Sequence, residues 1–430
     1  MIANLSIDSP APPLRQDAAV IGLVSVAHGI SHFSQLLLAP LFPWLKTEFN
    51  VSYTQLGLLL TIFFVVSCAV QTLSGFVVDR VGPRPVLFAG LLGCVVAALG
   101  FASSHSYAML AFWSVVAGMG NGVFHPADYT LINHKIHKTR LGHAYSAHGI
   151  SGSLGWALAP AMLVPIAVGQ GWRAALLCAA ALVFVVLVLV WWYREELNFG
   201  AASEAGSTVT PRAASAARLA KAGAGTGASK PAENTFGFLL IPAVWMCFAF
   251  FFFYACALSV VQTFAPEAAR QLHSVPVRWV AVCLSVYMVG SACGMVLGGF
   301  LATDPARCER IVGLAFGLAA MLALTAGLGS VAAWSVPVLF AAMGFVSGMA
   351  GPSRDLLVKR STPEGSTGRV YGVVYSGLDI GQAVAPLLFG RMMDLHQYQA
   401  VWIGLAAVQL VLIASAFNVR RVRREALVTA

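Results

Sequence analysis

Ionisable side chains inside long apolar segments are the residues of this sequence that could do chemistry. His28 and His32 are four positions apart and Gln35 follows three positions later, so all three share one face of a helix. An ionisable group at the centre of a lipid bilayer costs about 2.5–3.5 kcal/mol, and it therefore usually faces a polar cavity or a partner. We expect this face to line a cavity that binds a solute.

Polar residues of the same kind occur in five further apolar segments. The predicted substrate contacts are His28, His32, Gln35, His125, His148, Tyr254, Gln262 and Arg354. Asp379 lies near the middle of its segment and Asp128 lies three positions after His125, and we predict that both carboxyl groups take part in proton coupling. A lone histidine within a span often has only a packing role, and this alternative stays open for His148.

The same residues leave a metal-binding alternative open. His28 and His32, together with His125 and Asp128, are of the types that ligate divalent ions. No cluster of cysteine or methionine supports such a site, because the eight cysteines are scattered and none belongs to a Cys-x-x-Cys pair. We therefore predict no resident metal ion and no cofactor, and we interpret the cysteines as small apolar residues.

The elements that must position these residues are twelve apolar segments, each near the 20 residues or so that a spanning helix needs. Hydrophobic residues make up 58% of the chain and charged residues only 10%, against about 25% charged in soluble domains. The predicted spans 1 to 12 cover residues 20–42, 56–78, 85–103, 107–131, 143–168, 173–193, 238–264, 278–302, 311–330, 334–357, 370–391 and 398–418. The fold class is therefore an all-α membrane protein.

The chain also repeats itself at an offset of 226 residues. The positions that recur without a gap are Gly118, Gly122, Pro126, Gly142, Tyr145, Gly155, Ala157, Ala159 and Pro160, which return as Gly344, Gly348, Pro352, Gly368, Tyr371, Gly381, Ala383, Ala385 and Pro386. The same offset carries Ala39-Pro40 onto Ala265-Pro266. The repeat predicts two pseudo-symmetric bundles of six helices, an arrangement typical of secondary transporters.

Five segments follow from these patterns. We predict a cytoplasmic tail over 1–17, a first bundle over 18–193, a flexible cytoplasmic linker over 194–237, a second bundle over 238–418 and a basic tail over 419–430. The linker is rich in Ala, Gly, Ser and Thr and cannot bury a core. The first tail has no basic region before an apolar run, so we expect no cleavable signal peptide.

The net charge of +9 is distributed as the topology of a membrane protein requires. With the N-terminus in the cytoplasm, twenty of the 26 Lys and Arg residues lie on the cytoplasmic side, five lie on the opposite side and Arg354 lies within a span. We therefore predict an inner membrane protein with both termini in the cytoplasm. The predicted partners are a small-molecule substrate, protons and membrane lipid, with no nucleic acid, and the chain is expected to act as a monomer.

The loop after span 2 carries a family motif. It reads Gly75-Phe-Val-Val-Asp79-Arg80-Val-Gly82-Pro83-Arg84-Pro85. This resembles the signature G-x-x-x-D-R-x-G-R-K of the major facilitator superfamily, with Pro83 in place of the usual Arg. The resemblance covers residues 18–420 and implies two six-helix bundles around a central cavity, with alternating access. It also implies that Asp79 faces the N-terminus of span 11, where a carboxylate is stabilised by the helix dipole.

The predicted gate uses this loop and one pair of charges related by the repeat. The gating residues are Asp79, Arg80, Arg84, Asp128 and Arg354. Asp128 and Arg354 are related by the 226-residue offset, and each follows a helical proline by two positions, so we predict that they pair across the cytoplasmic mouth. The alternative for Asp79 and Arg80 is that they only cap a loop and set the topology.

A narrower resemblance is to the fosmidomycin-resistance-like branch of the superfamily. It is carried by His28-Gly-Ile-Ser31-His32 in span 1 and Val123-Phe124-His125-Pro126 in span 4. Ser114 stands before the Gly-x-Gly of span 4 where many proton-coupled members have Arg, so the coupling scheme that uses this Arg does not transfer. The direction of transport does not follow from the motifs.

These patterns predict a secondary transporter and not an enzyme. The chain has no phosphate-binding loop, so ATP does not drive it, and the energy source is predicted to be a proton gradient. The substrate is expected to be a small organic anion. Three alternatives stay open: efflux of drugs or metabolites by antiport, transport of a divalent metal, and a membrane receptor that does not transport.

Overall fold

The computed structural model describes residues 14–198, 242–301, 308–361 and 367–428, and it describes side chains there except at 138, 242–243, 354–375 and 416–428. Most of the predicted linker and most of both predicted tails therefore lie outside the described residues or side chains, as does the side chain of Arg354. The described chain contains helices and no strand.

Among the described residues 14–198, eight α-helices form the N-terminal half. They are α1 (Leu14–Gln35), α2 (Phe42–Phe49), α3 (Tyr53–Val81), α4 (Pro83–Ala102), α5 (Tyr107–Asn121), α6 (Phe124–Lys135), α7 (Leu141–Gln170) and α8 (Trp172–Trp192). Short 3-10 helices cover Ala39–Leu41, Lys138–Arg140 and Arg194–Leu197. The last of these lies at the start of the predicted linker.

In the described part of the C-terminal half there are seven α-helices. They are α9 (Pro242–Thr263), α10 (Ala265–His273), α11 (Val277–Leu301), α12 (Cys308–Leu328), α13 (Val336–Ser361), α14 (Thr367–Asp394) and α15 (Tyr398–Val428), with a 3-10 helix over Ala333–Ser335. Eleven stretches of the described chain are long and apolar enough to cross a membrane, counting α1 with α2 and α5 with α6 as one each. With α14 they make the twelve spans, six in each half.

The repeated Ala-Pro pair marks the same feature in both halves. Pro40 lies in the first turn of the 3-10 helix that follows α1, and Pro266 lies in the first turn of α10, which follows α9. Proline suits a first turn because its φ is already helical and no partner for an N–H is needed there. Each half therefore bends at this point. The short amphipathic helix that follows, α2 or α10, is succeeded by a residue with left-handed backbone, Asn50 or Ser274.

Span 4 is divided, where the sequence predicts one continuous helix. Pro126 has no N–H to donate to the carbonyl of Gly122, and the helix breaks between α5 and α6 at this carbonyl. The hydroxyl of Ser74 on α3 donates to the Gly122 oxygen at 3.3 Å, so the freed acceptor has a partner inside the bundle. The repeated proline, Pro352, lies inside α13 without such a break.

Repeated glycines are the points of closest helix contact. A Cβ atom on Gly155 of α7 would collide with the carbonyl oxygen of Gly29 on α1, and one on Gly381 of α14 would collide with that of Phe252 on α9. The same residue type thus joins equivalent helices in both halves. Close backbone approach of this kind is what holds helices together in lipid.

The two halves meet through α3 with α14 and through α7 with α11. We call the end of the bundle where α1 begins the terminal face and the opposite end the distal face. The Thr61 hydroxyl donates to the Ala383 carbonyl at 2.6 Å, and the Ser285 hydroxyl donates to the Ala157 carbonyl at 3.0 Å. Thr61 and Ser285 lie in the first third of helices that begin at the distal face, so contact between the halves extends from that side.

Replacing Gly155 by alanine tests the role of the repeated glycine. We expect Gly155→Ala to lower stability by about 1–3 kcal/mol, because neither backbone can move aside without repacking. Thermal unfolding of the detergent-purified protein measures the effect. Gly169→Ala on the same helix is the control, since no atom lies within 4 Å of its added Cβ. Equal melting temperatures for the two variants would contradict the packing argument.

Candidate functional site

Four histidines and one aspartate from three helices of the N-terminal half come together, and we call them the histidine cluster. α1 supplies His28 and His32, α6 supplies His125 and Asp128, and α7 supplies His148. The ring centroids of His28 and His32 are 4.3 Å apart, as expected for positions on one helix face. Those of His28 and His125 are 5.2 Å apart.

Asp128 connects the three helices. Its Oδ2 accepts from Nδ1 of His28 at 3.1 Å and from Nε2 of His148 at 3.2 Å, and the side chain is completely buried. With Asp128 ionised, its carboxylate can only accept, and the two contacts then place a proton on Nδ1 of His28 and on Nε2 of His148. A single buried carboxylate is thus shared by two imidazoles from helices that are not adjacent in sequence.

Gly152 provides the space for this arrangement. A Cβ atom there would lie 2.9 Å from Nδ1 of His32 and 3.1 Å from Nε2 of His28. The ring of His32 also packs against Trp156 of α7, with centroids 4.2 Å apart. The small residue of α7 therefore lets α1 place both histidines against it, and this purpose of Gly152 is not visible in the sequence.

Several polar atoms of the cluster have no hydrogen-bond partner within the described part of the chain. They are Nδ1 and Nε2 of His32, Nδ1 of His125 and Oδ1 of Asp128. A buried polar atom without a partner is costly, so such atoms mark places where a ligand, a water molecule or a proton binds. The His125 ring stacks on Tyr129 at 5.8 Å, and Tyr129 is exposed, so His125 is the member nearest the outside of the packed half.

A chain of amides extends the cluster to α3. Nε1 of Trp156 donates to Oε1 of Gln35 at 2.9 Å, and Nε2 of Gln35 donates to Oδ1 of Asn121 at 3.1 Å. Nδ2 of Asn121 then donates to the Ser67 hydroxyl at 2.8 Å. The sequence identified Gln35 but missed the other three, and only the polarity of Asn121 at the end of an apolar helix was available as a signal.

Asp379 lies at the contact between the halves. Nε2 of Gln71 on α3 donates to its Oδ2 at 3.3 Å, and the carboxylate is partly buried. Ser67 of the amide chain is one helical turn before Gln71. The proton-coupling role of Asp379 stays a prediction. Its carboxylate lies where a charge would affect how the halves fit together.

One predicted contact of the C-terminal half, Gln262, belongs to a second polar pair. Gln262 of α9 is buried, and its Oε1 accepts from Nε2 of Gln382 on α14 at 3.4 Å. One further atom of each amide has no partner among the described residues. Tyr254 lies about two helical turns before Gln262 on α9, and its ring centroid is 6.2 Å from that of Phe316. The sequence did not single out Gln382.

Among the predicted gating residues whose side chains are described, no contact joins Asp128 to Asp79, Arg80 or Arg84. Asp79 and Arg80 are exposed, and Arg84 lies 3.9 Å from Glu195, near the linker. Asp128 contacts histidines of its own half in this conformation. Since the side chain of Arg354 lies outside the described residues, its pairing with Asp128 stays a prediction.

The ring geometry bears on the metal-binding alternative. One donor atom from each of His28, His125 and His148 lies within 4.8 Å of the others. However, the rings of His28 and His148 are stacked, with centroids 3.4 Å apart and planes 22° apart. Because the two rings are stacked with nearly parallel planes, the in-plane nitrogen lone pairs of His28 and His148 do not converge on one ion. This arrangement does not fit a shared metal ion.

The family model of the Major Facilitator Superfamily matches residues 24–386. The chain belongs to the major facilitator superfamily. It is therefore a multi-pass membrane protein, and the family and fold implied by the motif after span 2 are confirmed. The match includes every residue of the histidine cluster and Asp379.

Two curated proteins and one solved structure are similar to this chain. A probable sulfoacetate transporter, SauU of Cupriavidus necator, is 23% identical over 87% of both chains. The fosmidomycin resistance protein of Escherichia coli is 24% identical over 46% of this chain and 49% of its own length. A bacterial homolog of the human lysosomal transporter Spinster, in an inward-facing and occupied conformation, has a TM-score of 0.72 at 14% identity and covers 96% of this chain and 98% of its own.

These matches differ in how much of each protein they cover. The chain spans under half the length of some of the curated relatives that it matches, including the fosmidomycin resistance protein. The narrower resemblance to that branch therefore has one distant relative in its support. The structural similarity shows the fold of the major facilitator superfamily, and the substrate and the coupling belong to the proposal below.

A double-mutant cycle tests the contact between Gly152 and the cluster. We expect Gly152→Ala to lower stability by about 1–3 kcal/mol, because its methyl group displaces the buried His32 ring. The cost should fall by at least half in a His32→Ala background, where the space is free. Thermal unfolding of the four proteins gives the coupling.

The matched control for this cycle is Gly149→Ala, one turn earlier on α7, where an added Cβ meets no atom within 4 Å. It should have no measurable coupling to His32. Additive effects of Gly152→Ala and His32→Ala would show that α7 does not hold the histidine in place.

Proposed function

We propose that this protein is a secondary transporter that moves a small organic anion together with protons across the inner membrane. The observation that carries the proposal is the buried Asp128 carboxylate, shared by imidazoles of His28 and His148 from two other helices. Five titratable groups with no Lys or Arg among their described contacts form a site whose charge depends on bound protons. Transport, and no catalysis, is the activity that we propose.

The charge of the histidine cluster links protons to the anion. With Asp128 ionised and the four imidazoles neutral, the cluster carries a charge of −1, and two added protons change it to +1. At about 6 Å and an effective dielectric constant of about 20, each unit of charge changes the energy of a nearby anion by roughly 3 kcal/mol. Protonation therefore favours anion binding, and by linkage the anion favours protonation.

This linkage favours symport over antiport. If the loaded form carries both the anion and the protons, both move in the same direction when the halves exchange access. His125 is placed to contact the substrate because its Nδ1 has no partner among the described residues and its ring lies at the edge of the cluster. A neutral imidazole still offers one N–H donor to a carboxylate or sulfonate oxygen.

The substrate class that we propose is a small carboxylate or sulfonate. The relative that aligns over 87% of both chains is a probable sulfoacetate transporter. Sulfoacetate carries two anionic groups, and an amide pair such as Gln262 and Gln382 offers hydrogen bonds to the far end of such a molecule. One chain with two bundles supplies a complete pathway, so we propose that the monomer is active.

The excess of Lys and Arg on the terminal face supports a cytoplasmic location for both termini. The terminal face is then cytoplasmic, and the conformation described above, with the halves in contact from the distal side, corresponds to an inward-facing state. Asp379 lies where such contacts end. We propose that it is a second proton-coupling residue, because a neutral carboxyl group is less costly to enclose when the halves close around it.

Reconstituted transport tests the proposed function. Purified protein in proteoliposomes is given radiolabelled sulfoacetate with and without an inward proton gradient, and a competition panel contains galactonate, other small carboxylates and amphiphilic drugs. We expect accumulation above equilibrium only with the gradient. Accumulation driven by an outward proton gradient, or competition by drugs alone, would support the efflux alternative instead, and no transport or binding of any probe would support the receptor alternative.

Asp128→Asn should separate transport from its driving force. We expect uphill accumulation to fall at least tenfold while exchange without a gradient continues, because the cluster has lost its only carboxylate and with it the linkage. Glu48→Gln is the control, since Glu48 is exposed and pairs with Arg173 away from the cluster. Wild-type accumulation by Asp128→Asn would remove the cluster from the coupling mechanism.

Asp379→Asn should shift the pH dependence of the same reaction. The amide mimics the protonated carboxyl group, so we expect the rate of exchange to become less dependent on pH and uphill accumulation to decline. Gln71→Leu removes the hydrogen-bond partner and keeps the carboxylate, and it should retain the pH dependence. If both variants keep the wild-type pH profile and accumulation, Asp379 has no part in coupling.

A further inference from the structure

We propose that Asp394, the last residue of α14, holds the distal face closed by capping the N-terminus of α3 in the other half. Its Oδ1 accepts from the backbone N–H of Tyr53 at 2.6 Å, and its Oδ2 accepts from the N–H of Thr54 at 2.9 Å. The Thr54 hydroxyl also donates to Oδ2 at 2.6 Å. Three hydrogen bonds from one carboxylate therefore cross between the halves.

The N-terminus of α3 depends on both halves for its hydrogen bonds. An α-helix leaves its first four N–H groups without an intrahelical partner. In α3 the first of these, on the N-cap residue Ser52, donates to Oε1 of Gln55, and the fourth, on Gln55, donates to the Ser52 side chain. The two between them, on Tyr53 and Thr54, donate to Asp394 of the other half. The cap is thus complete only while the halves are together.

Tyr53 is held by the C-terminal half at its other end as well. Its hydroxyl lies 3.4 Å from Oε1 of Glu267 on α10. Glu267 is buried and accepts from Nε and Nη2 of Arg270 at 2.7 Å each and from Nε2 of Gln271 at 2.8 Å. The contact with Glu267 fixes the direction of the Tyr53 ring and so supports the position of the backbone that Asp394 caps.

Backbone packing below the cap places Asp394 within reach. A Cβ atom on Gly57 would lie 2.5 Å from the carbonyl oxygen of Pro386, and one on Gly390 would lie 2.9 Å from that of Tyr53. The two backbones are in contact here, so α3 cannot move away from α14 unless the three hydrogen bonds break. When the distal face opens, Asp394 must release both N–H groups of α3.

The charge of Asp394 adds to the strength of the cap. A carboxylate at a helix N-terminus is favoured by the helix dipole as well as by the N–H donors. Opening exposes these donors and the carboxylate to water, so hydrogen bonds to water replace those of the cap. The effect is therefore a bias between two conformations of the transporter, independent of which solute it carries.

Distance measurements across the distal face test the proposal. Spin labels on His105→Cys, between α4 and α5, and Ser330→Cys, between α12 and α13, report the separation of the halves by double electron–electron resonance. Both positions are exposed, and the background replaces the two exposed native cysteines, Cys178 and Cys293, by serine. The protein with native Asp394 should give predominantly short distances.

Asp394→Ala should raise the ratio of open to closed distal face about tenfold, the change that corresponds to one lost helix cap of about 1.4 kcal/mol. Asp394→Glu keeps a carboxylate and should recover part of the closed population. Thr54→Val removes one of the three bonds without changing the side-chain shape, and it should shift the ratio in the same direction by a smaller factor.

The control is Glu48→Gln, which removes an exposed ion pair with Arg173, inside one half. It should leave the distances unchanged. If Asp394→Ala and Thr54→Val both give the native distribution, the cap does not hold the face closed. An equal shift in Glu48→Gln and Asp394→Ala would also overturn the proposal, because the effect would then reflect loss of any surface charge.

Discussion

Close contact between helix backbones at glycine is the constraint on which the rest of this structure depends. Lipid gives apolar helices no hydrophobic reason to associate, so they are held by packing and by internal hydrogen bonds. Gly155 brings α7 against α1, and Gly152, one turn away, leaves the space that the imidazoles of His28 and His32 occupy. The same helix contact therefore determines both the packing of the half and the geometry of the polar site within it.

The interactions within the N-terminal half differ in kind from those between the halves. Within the half, Asp128 and the amide chain are enclosed by packed helices, and their partners do not depend on the position of the other half. Between the halves, the polar contacts among the described residues include a carboxylate on backbone N–H groups, hydroxyls on carbonyls and the Gln71 amide on Asp379. Such groups can exchange a protein partner for water at small net cost, as a protein that alternates between two conformations requires.

Much of the fold follows from the sequence, because span length and the repeat act along the chain. The shared face of His28 and His32 was predictable for the same reason. The contact of Asp128 with His28, the hydrogen bond of Ser74 to the Gly122 carbonyl and the role of Asp394 were not, because each depends on a group more than forty residues away. Asp394 in particular ends a span next to a loop, where acidic residues are common, so its type and position do not indicate a contact with the other half.

The repeat reproduces the scaffold of the first half but not its chemistry. At the 226-residue offset, the glycines and prolines recur, whereas His28, His32 and His125 correspond to Tyr254, Leu258 and Gly351. Asp128 corresponds to Arg354, whose charge does not change in the physiological range. Symmetry of the backbone is what lets two bundles close alternately at either face. Asymmetry of the titratable groups confines a proton-dependent change of charge at these four positions to the first half, whereas the proposed coupling residue of the second half, Asp379, corresponds to Ser153.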